Sequence, residues 1–403
     1  MSGPVVEGGT VLFVDGEIAA VGRQVELPGD VETIDVTGRR VYPGLIAANS
    51  QLGLVEIDAV RASRDFAEVG QIKPNVRAEA AFNPDSELIP VTRADGITAA
   101  LSVPLGGLIA GTSALMALDG WTWEDMRLKA PVGLHVFWPQ MYIDHEPSAG
   151  RKPEEQKKAR DAVLQKIRAA FAEARAYLKA RRAEGEEGIP HHDVDLRWQA
   201  MRPVLDGEIP VFVHANGILQ IQAAVDWAEE EGVRLVLVGA VDAWRAADLL
   251  VEKDIPVIVT GNLHWLPMRR WEAYNTVIAN ALKLYRAGVR FCIAGEGGSF
   301  QAPMERTLPF QAAVAAAHGL PKEEALKAVT LYAAQILGVD DRLGSIEVGK
   351  DATLIVTDGD PLEIRTRVER MFIRGRDVDL SSRHTQLYDK YRTKYRRMGL
   401  IAE

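Results

Sequence analysis

The sequence predicts an α/β protein whose body is a closed (β/α)8, TIM-like barrel flanked by a small β-sandwich domain built from both chain ends. Two observations predict the barrel. From about Pro43 to Leu337, short apolar runs (GITAALSV, APVGLHVFW, IPVFVHA, RLVLVGA, IPVIVT, VRFCIAG) alternate with helical stretches such as IQAAVDWAEEEG and DAWRAADLLVEKD. Repeated strand-then-helix units bury parallel strands beneath helices, and more than about six of them suit a closed barrel better than an open sheet. A third observation predicts the flanking sheet: both ends show hairpin alternation. TVLFVDGEIAAVG carries Asp15-Gly16 between two apolar runs, and GSIEVGKDATLIVTDGDP is followed by RVERMFIRGRDV. The expected division is residues 1–42 with 343–378 for the small β domain, 43–342 for the barrel and 379–403 for a C-terminal helical tail, where HTQLYDKYRTKYRR reads as a basic helix.

Composition bounds the function. At 403 residues, 47% hydrophobic and 26% charged, the chain is an ordinary folded protein with a large core. A single cysteine, Cys292, excludes an intrachain disulfide and a multi-thiolate zinc site, which leaves eight histidines and the carboxylates as candidate metal ligands. A net charge of -9 argues against nucleic acid or an anionic membrane as main partner. A small-molecule ligand or substrate is expected instead. No run of about 18 apolar residues occurs, and the start MSGPVVEGG lacks the basic and apolar regions of a signal peptide. The compartment stays open between the cytoplasm, the default, and an exported location reached through a removed leader. The stretch Lys152 to Arg182 reads as an amphipathic helix packed along the barrel, with a partner interface as the alternative. PLGGLIAGTSA lacks the Lys-Ser/Thr of a phosphate loop and reads as a segment of close backbone approach. No Gly-x-Ser-x-Gly elbow supports a serine nucleophile.

Two motifs carry a resemblance. VYPGLIAANSQLGL, Val41 to Leu54, resembles the first-strand signature of the amidohydrolase superfamily, and RLGSIEVGKDATLIVTDGDP, Arg342 to Pro361, resembles its C-terminal signature. The sequence resembles the imidazolonepropionase-like and dihydroorotase-like hydrolases of that superfamily, and the likeness covers nearly the whole chain. It implies a barrel that hydrolyses carbon–nitrogen bonds with a water activated by one or two divalent metals. The ligands it implies are a His-x-His pair on strand 1, often a carboxylated lysine on strand 4, histidines on strands 5 and 6, and an aspartate on strand 8.

This sequence departs from that set. Asn49 and Gln51 stand at the His-x-His positions, and no lysine lies in an apolar strand between Phe137 and Val194. Strand 5 keeps His214, the expected metal ligand; Gly239 stands at the strand-6 position with Asp242 three residues on. Glu296 lies near the strand-8 aspartate, and His264 follows the strand-7 candidate; these two are the expected catalytic residues, with packing or backbone contacts as the alternative for each. Asn49, Gln51 and Asn216 are expected to line the wall and bind substrate. His135, His145, His191, His192, His318 and His384 receive no ligand role. At most one divalent metal, zinc by ligand type, is expected, and a two-metal centre is not. Two functions from different classes follow. One is a carbon–nitrogen hydrolase with a reduced or altered metal site. The other is a metal-depleted homologue that binds a ligand or serves as subunit of a homo-oligomer or of an active relative.

Overall fold

The computed structural model of the protein describes residues 1–146, 150–184, 191, 193–261 and 266–402. The chain enters through a hairpin, β1 (Thr10–Val14) and β2 (Glu17–Gly22). Its turn residues Asp15 and Gly16 both have positive φ, 51° and 87°, the conformation that a tight type I′ hairpin demands and that Asp-Gly supplies at low cost. Next comes β3 (Arg40–Pro43), and after one residue, Gly44, β4 (Leu45–Ser50) begins the barrel. A Cβ on Gly44 would collide with the Thr98 side chain, so only glycine lets the chain pass from the outer sheet into the ring at this point.

The ring continues with β5 (Ile97–Ser102), then β6 (Ile109–Thr112) and β7 (Ala114–Ala117), followed by β8 (Arg127–Lys129) on its outer side and β9 (Leu134–Phe137). The remaining strands are β10 (Val211–Ala215), β11 (Leu235–Gly239), β12 (Val257–Val259) and β13 (Phe291–Ile293). The fold is α/β and TIM-barrel-like, and it corrects the expectation of a closed parallel barrel in two ways. First, β6 and β7 form one strand interrupted at Ser113, which runs antiparallel to both neighbours, β5 and β9. The connection from Val103 to Leu108 is too short for the crossover that a parallel strand needs, so the chain turns straight back. Second, the strands register as two open sheets, β4-β5-β7-β8 and β13-β12-β11-β10-β9-β6, with no ladder between β13 and β4.

The PLGGLIAGTSA segment builds this reversal through close backbone contact, as the sequence suggested. Gly107 has φ +78°, and a Cβ on it would lie 2.8 Å from the Gln71 carbonyl. Inside the ring, Ile46, Ala48, Leu101, Phe212, Val238 and Ile258 fill the axis. A second apolar layer lies between strands and outer helices, with Phe171 and Trp227 in edge contact at 5.0 Å. Phe171 belongs to helix Pro153–Arg182, which buries Ile167, Ala170, Ala174 and Leu178 on the same face. That spacing, three or four residues apart, is the apolar stripe of a helix packed along a barrel.

The small sheet has the order β16-β15-β14-β3, from β14 (Leu354–Thr357), β15 (Val368–Ile373) and β16 (Arg376–Asp377). Its β14–β3 pairing joins the two ends of the chain, Leu354 opposite Pro43 and Thr357 opposite Arg40. The β1–β2 hairpin is a separate two-stranded sheet that leans on it through Phe13, whose ring centroid lies 5.4 Å from that of Phe372. The arrangement is thus a hairpin on a four-stranded sheet, not the two full sheets of a sandwich. The chain ends in helix Arg383–Arg397, whose first turn is capped by the Ser382 hydroxyl accepting from Thr385 N–H.

Candidate functional site

The carboxyl ends of barrel strands converge on one mouth, where this fold class carries its ligands. Two parts of that mouth differ in chemistry: the open seam between β13 and β4, and the flank formed by β9 and β10.

At the seam, side chains replace the missing ladder. Asn49, on β4, donates from Nδ2 to the Gly295 carbonyl at 3.3 Å. Gln51 donates from Nε2 to the Val103 carbonyl at 3.3 Å and accepts the Gly298 N–H at Oε1. Both amides are buried, and the glycines after β13 make room for them. Gly297 has φ +69°, and a Cβ there would lie 2.5 Å from Asn49 Nδ2. Glu296 sits in this glycine run with Oε1 buried and without a hydrogen-bond partner among the described residues.

A residue that drew no attention in the sequence completes the seam. Glu305 is only 2% exposed, next to the Ser50 hydroxyl, and its Oε1 lies 2.5 Å from where a Cβ on Gly295 would be. Its Oε2 has no partner. Burial pushes this carboxyl up from 4.5 to about 8, although the Ser50 hydrogen bond works in the opposite direction. A carboxylate taken out of water without a cation beside it is far costlier than the neutral acid, so Glu305 carries its proton at neutral pH. It lies in the 3-10 stretch Ser299–Thr307, which contains Pro303.

On the flank, His214 and His135 meet. His135 Nδ1 and His214 Nε2 are 2.9 Å apart, so one of the two must donate. His135 is wholly buried, stacked on Phe212 at 5.0 Å, while His214 stacks on Phe137 at 4.2 Å. The Nε2 atom of His135 has no partner. An orphaned lone pair costs less than an orphaned N–H, which assigns the proton of His135 to Nδ1 and makes His214 Nε2 the acceptor. Burial holds His214 down to about 3, and holds His135 well below 6.5 with His214 adding to the effect. Both rings are therefore neutral. His135 stands between Leu134 and Val136 in β9, and the sequence alone assigns it no ligand role.

The other predicted residues fall into place around these two parts. Asn216, directly after β10, has its Oδ1 buried and unpartnered among the described residues, beside Gly239, where a Cβ would collide with it. Asp242 is 1% exposed; it accepts the Ile218 N–H at 3.0 Å and a two-pronged contact from Arg269 at 3.0 and 2.8 Å. It fastens the segment after β12 to the start of helix Ile218–Glu231. His264 lies outside the described residues, as does His192. His145, His191, His318 and His384 lie outside the barrel strands.

The residues at the mouth do not fit the metal set that the resemblance implies. Among the described residues no group of three or more His, Cys, Asp or Glu could hold a metal ion. Asn49 and Gln51 direct their polar atoms to backbone of the seam, and the near nitrogen of His214 faces His135.

Comparison with known proteins places the chain in a family. The amidohydrolase family profile matches residues 119–380, so the chain belongs to the amidohydrolase family. It is 25% identical over 395 residues to amidohydrolase tasK of Hapsidospora irregularis, covering 92% of this chain and 39% of that protein. The chain therefore spans well under half the length of that relative. It is 24% identical over 377 residues to an imidazolonepropionase of Mesorhizobium japonicum, covering 88% of this chain and 87% of that one. The crystal structure of an amidohydrolase from Thermotoga maritima superposes with a TM-score of 0.79 at 29% identity, covering 92% of this chain and 94% of that chain. No helix of the described residues is long and apolar enough to cross a membrane.

Proposed function

We propose that the protein is a hydrolase of carbon–nitrogen bonds whose site is altered from the family's metal set and centred on the seam. The observation that carries this reading is Glu305, a carboxyl packed against Gly295 and held protonated by burial, with Glu296 the residue that follows this glycine in the chain. A buried acid of this kind can give a proton, and a second carboxyl on the neighbouring strand end can take one. In this reading Glu296 takes a proton from water as the water oxygen bonds to the carbonyl carbon of an amide. The carbon–nitrogen bond then breaks, and the departing nitrogen takes a proton that Glu305 holds. Asn216, with its free amide oxygen, orients an N–H of the substrate. Asn49 and Gln51 shape the wall. Exposed Trp271, Tyr274 and Phe300 on the segments after β12 and β13 suit a substrate with an apolar body.

A second reading has its own observation. Both ends of the Gln51 amide, and the amide nitrogen of Asn49, are tied to seam backbone, which suits a barrel that binds a ligand, or supports an active relative, without turnover. A panel of cyclic and acyclic amides assayed with a chelator present separates the two. Chelator-resistant turnover that falls by about 10²- to 10⁴-fold in Glu296→Gln supports hydrolysis. Saturable binding with no turnover by the wild type supports the second reading. Elemental analysis of protein expressed with zinc is expected to find at most one divalent ion per chain. Two tightly held ions would refute the altered site.

A further inference from the structure

We propose that helix Arg383–Arg397 is a docking arm that seats on the acidic amino-terminal segment, residues 5–35, of a second copy of this chain. The helix has no buried residue along its length. Its beginning is held by the Ser382 cap and borders a cleft shared with Glu87, Pro90 and Arg93, while the rest leaves the body. At about 100° per residue, Leu387, Tyr388, Tyr391, Tyr395 and Met398 share one face. Tyr388 is 63% exposed and Met398 59%. Lys390 and Lys394 lie over the Tyr391 ring at 5.9 Å, and Arg392 over Tyr388 at the same distance, so cations rim the aromatic face. A helix of about 15 residues is marginal in water without packing. This one thus presents an aromatic, cation-rimmed surface that none of the described residues covers.

Charge selects the occupant. The helix carries six basic residues against one acidic residue, Asp389, in a chain whose net charge is -9. Residues 1–38 carry the reverse: Glu7, Asp15, Glu17, Glu26, Asp30, Glu32 and Asp35 against Arg23 alone. Apart from Asp35, whose partner is the neutral Thr37, these acids have no side-chain bond or ion pair to another side chain among the described residues. The same segment exposes apolar side chains for the tyrosines to cover, including Val5 at 84% and Val14 at 51%. Strand β1 is paired on one side only. A basic aromatic arm and an acidic apolar segment in one chain make a self-complementary surface, and a two-fold pair engages both at once. An anionic membrane would attract the arm but repel the acidic body behind it.

Sedimentation velocity on the full chain tests this. The wild type is expected to be a dimer at low salt that dissociates as salt rises. Reversing the arm (Lys390→Glu, Lys394→Glu, Arg397→Glu) or the acceptor (Glu17→Lys, Glu26→Lys, Glu32→Lys) is expected to weaken the dimer on the order of a hundredfold, at about tenfold per 1.4 kcal/mol. Combining the two sets is expected to restore it. All six side chains are exposed, and unchanged thermal unfolding shows that the variants fold. A monomeric wild type at low salt, a dimer indifferent to either set, or failure of the combined variant to recover would overturn the proposal. So would a monomer that floats with phosphatidylserine vesicles through the same helix.

Discussion

The seam and the flank of the barrel mouth hold buried titratable groups in opposite ways. At the seam, Glu305 keeps a proton that an exposed carboxyl would lose; on the flank, His135 and His214 refuse a proton that exposed imidazoles would take. Both follow from one physical fact, that burial favours whichever form is uncharged. The two regions therefore respond to pH with opposite sign, and that difference can be measured.

The largest effects come from this contrast. Glu305 has its folded pKa raised from 4.5 to about 8, so the folded state binds the extra proton between those values and stability falls as pH rises through them. At about 1.36 kcal/mol per unit the loss is about 5 kcal/mol at most, and Glu305→Gln is expected to flatten that alkaline slope in urea melts. His214 has its folded pKa lowered from 6.5 to about 3, so the unfolded state binds the proton first and stability is lost as pH falls below 6.5. The size is similar, and the difference between wild type and His214→Gln should shrink towards acid pH. Equal pH profiles for wild type and either variant would erase the contrast.

Smaller effects sharpen it. Gly297→Ala puts a Cβ at positive φ against Asn49 and is expected to cost about 1 to 3 kcal/mol by thermal unfolding, because the seam has no ladder to fall back on. Asn49→Ala removes a single buried hydrogen bond to Gly295 and is expected to cost about 1 kcal/mol, with increased amide exchange confined to the ends of β4 and β13. Protection lost evenly around the ring would mean that the seam is no weaker than the ladders.

Much of this was legible in the chain. Strands β10 to β13 announced themselves as apolar runs between helices, and Asp15-Gly16 marked its hairpin. Asn49 and Gln51 could be singled out because the motif around Pro43-Gly44 fixed their place at a strand end, and Glu296 because it follows the apolar run FCIAG near the strand-8 aspartate of the resemblance. The reversal of β6 and β7 was not legible, since IAGTSALMA has the same apolar texture in either direction. Glu305 and His135 were missed for a related reason. A lone charged or aromatic residue carries no periodic signal, and its importance arises only when distant segments bring Ser50 and Gly295 to one and Phe212 and His214 to the other. The pairing of Asn49 with a backbone carbonyl 246 positions away is equally invisible along the chain.

The reversed strand has one more consequence. Because β6 starts at the mouth where its seven ring partners finish, the rim between β5 and β9 is spanned by the short bridge Val103 to Leu108, pinned at Gly107 against Gln71. Loops that grow at strand ends are how barrels of this class vary their substrates. On this chain one of those growth points is closed, so new specificity has to arise from the long insertions after β4, β9 and β12, and variation among natural relatives with the same reversal should concentrate there.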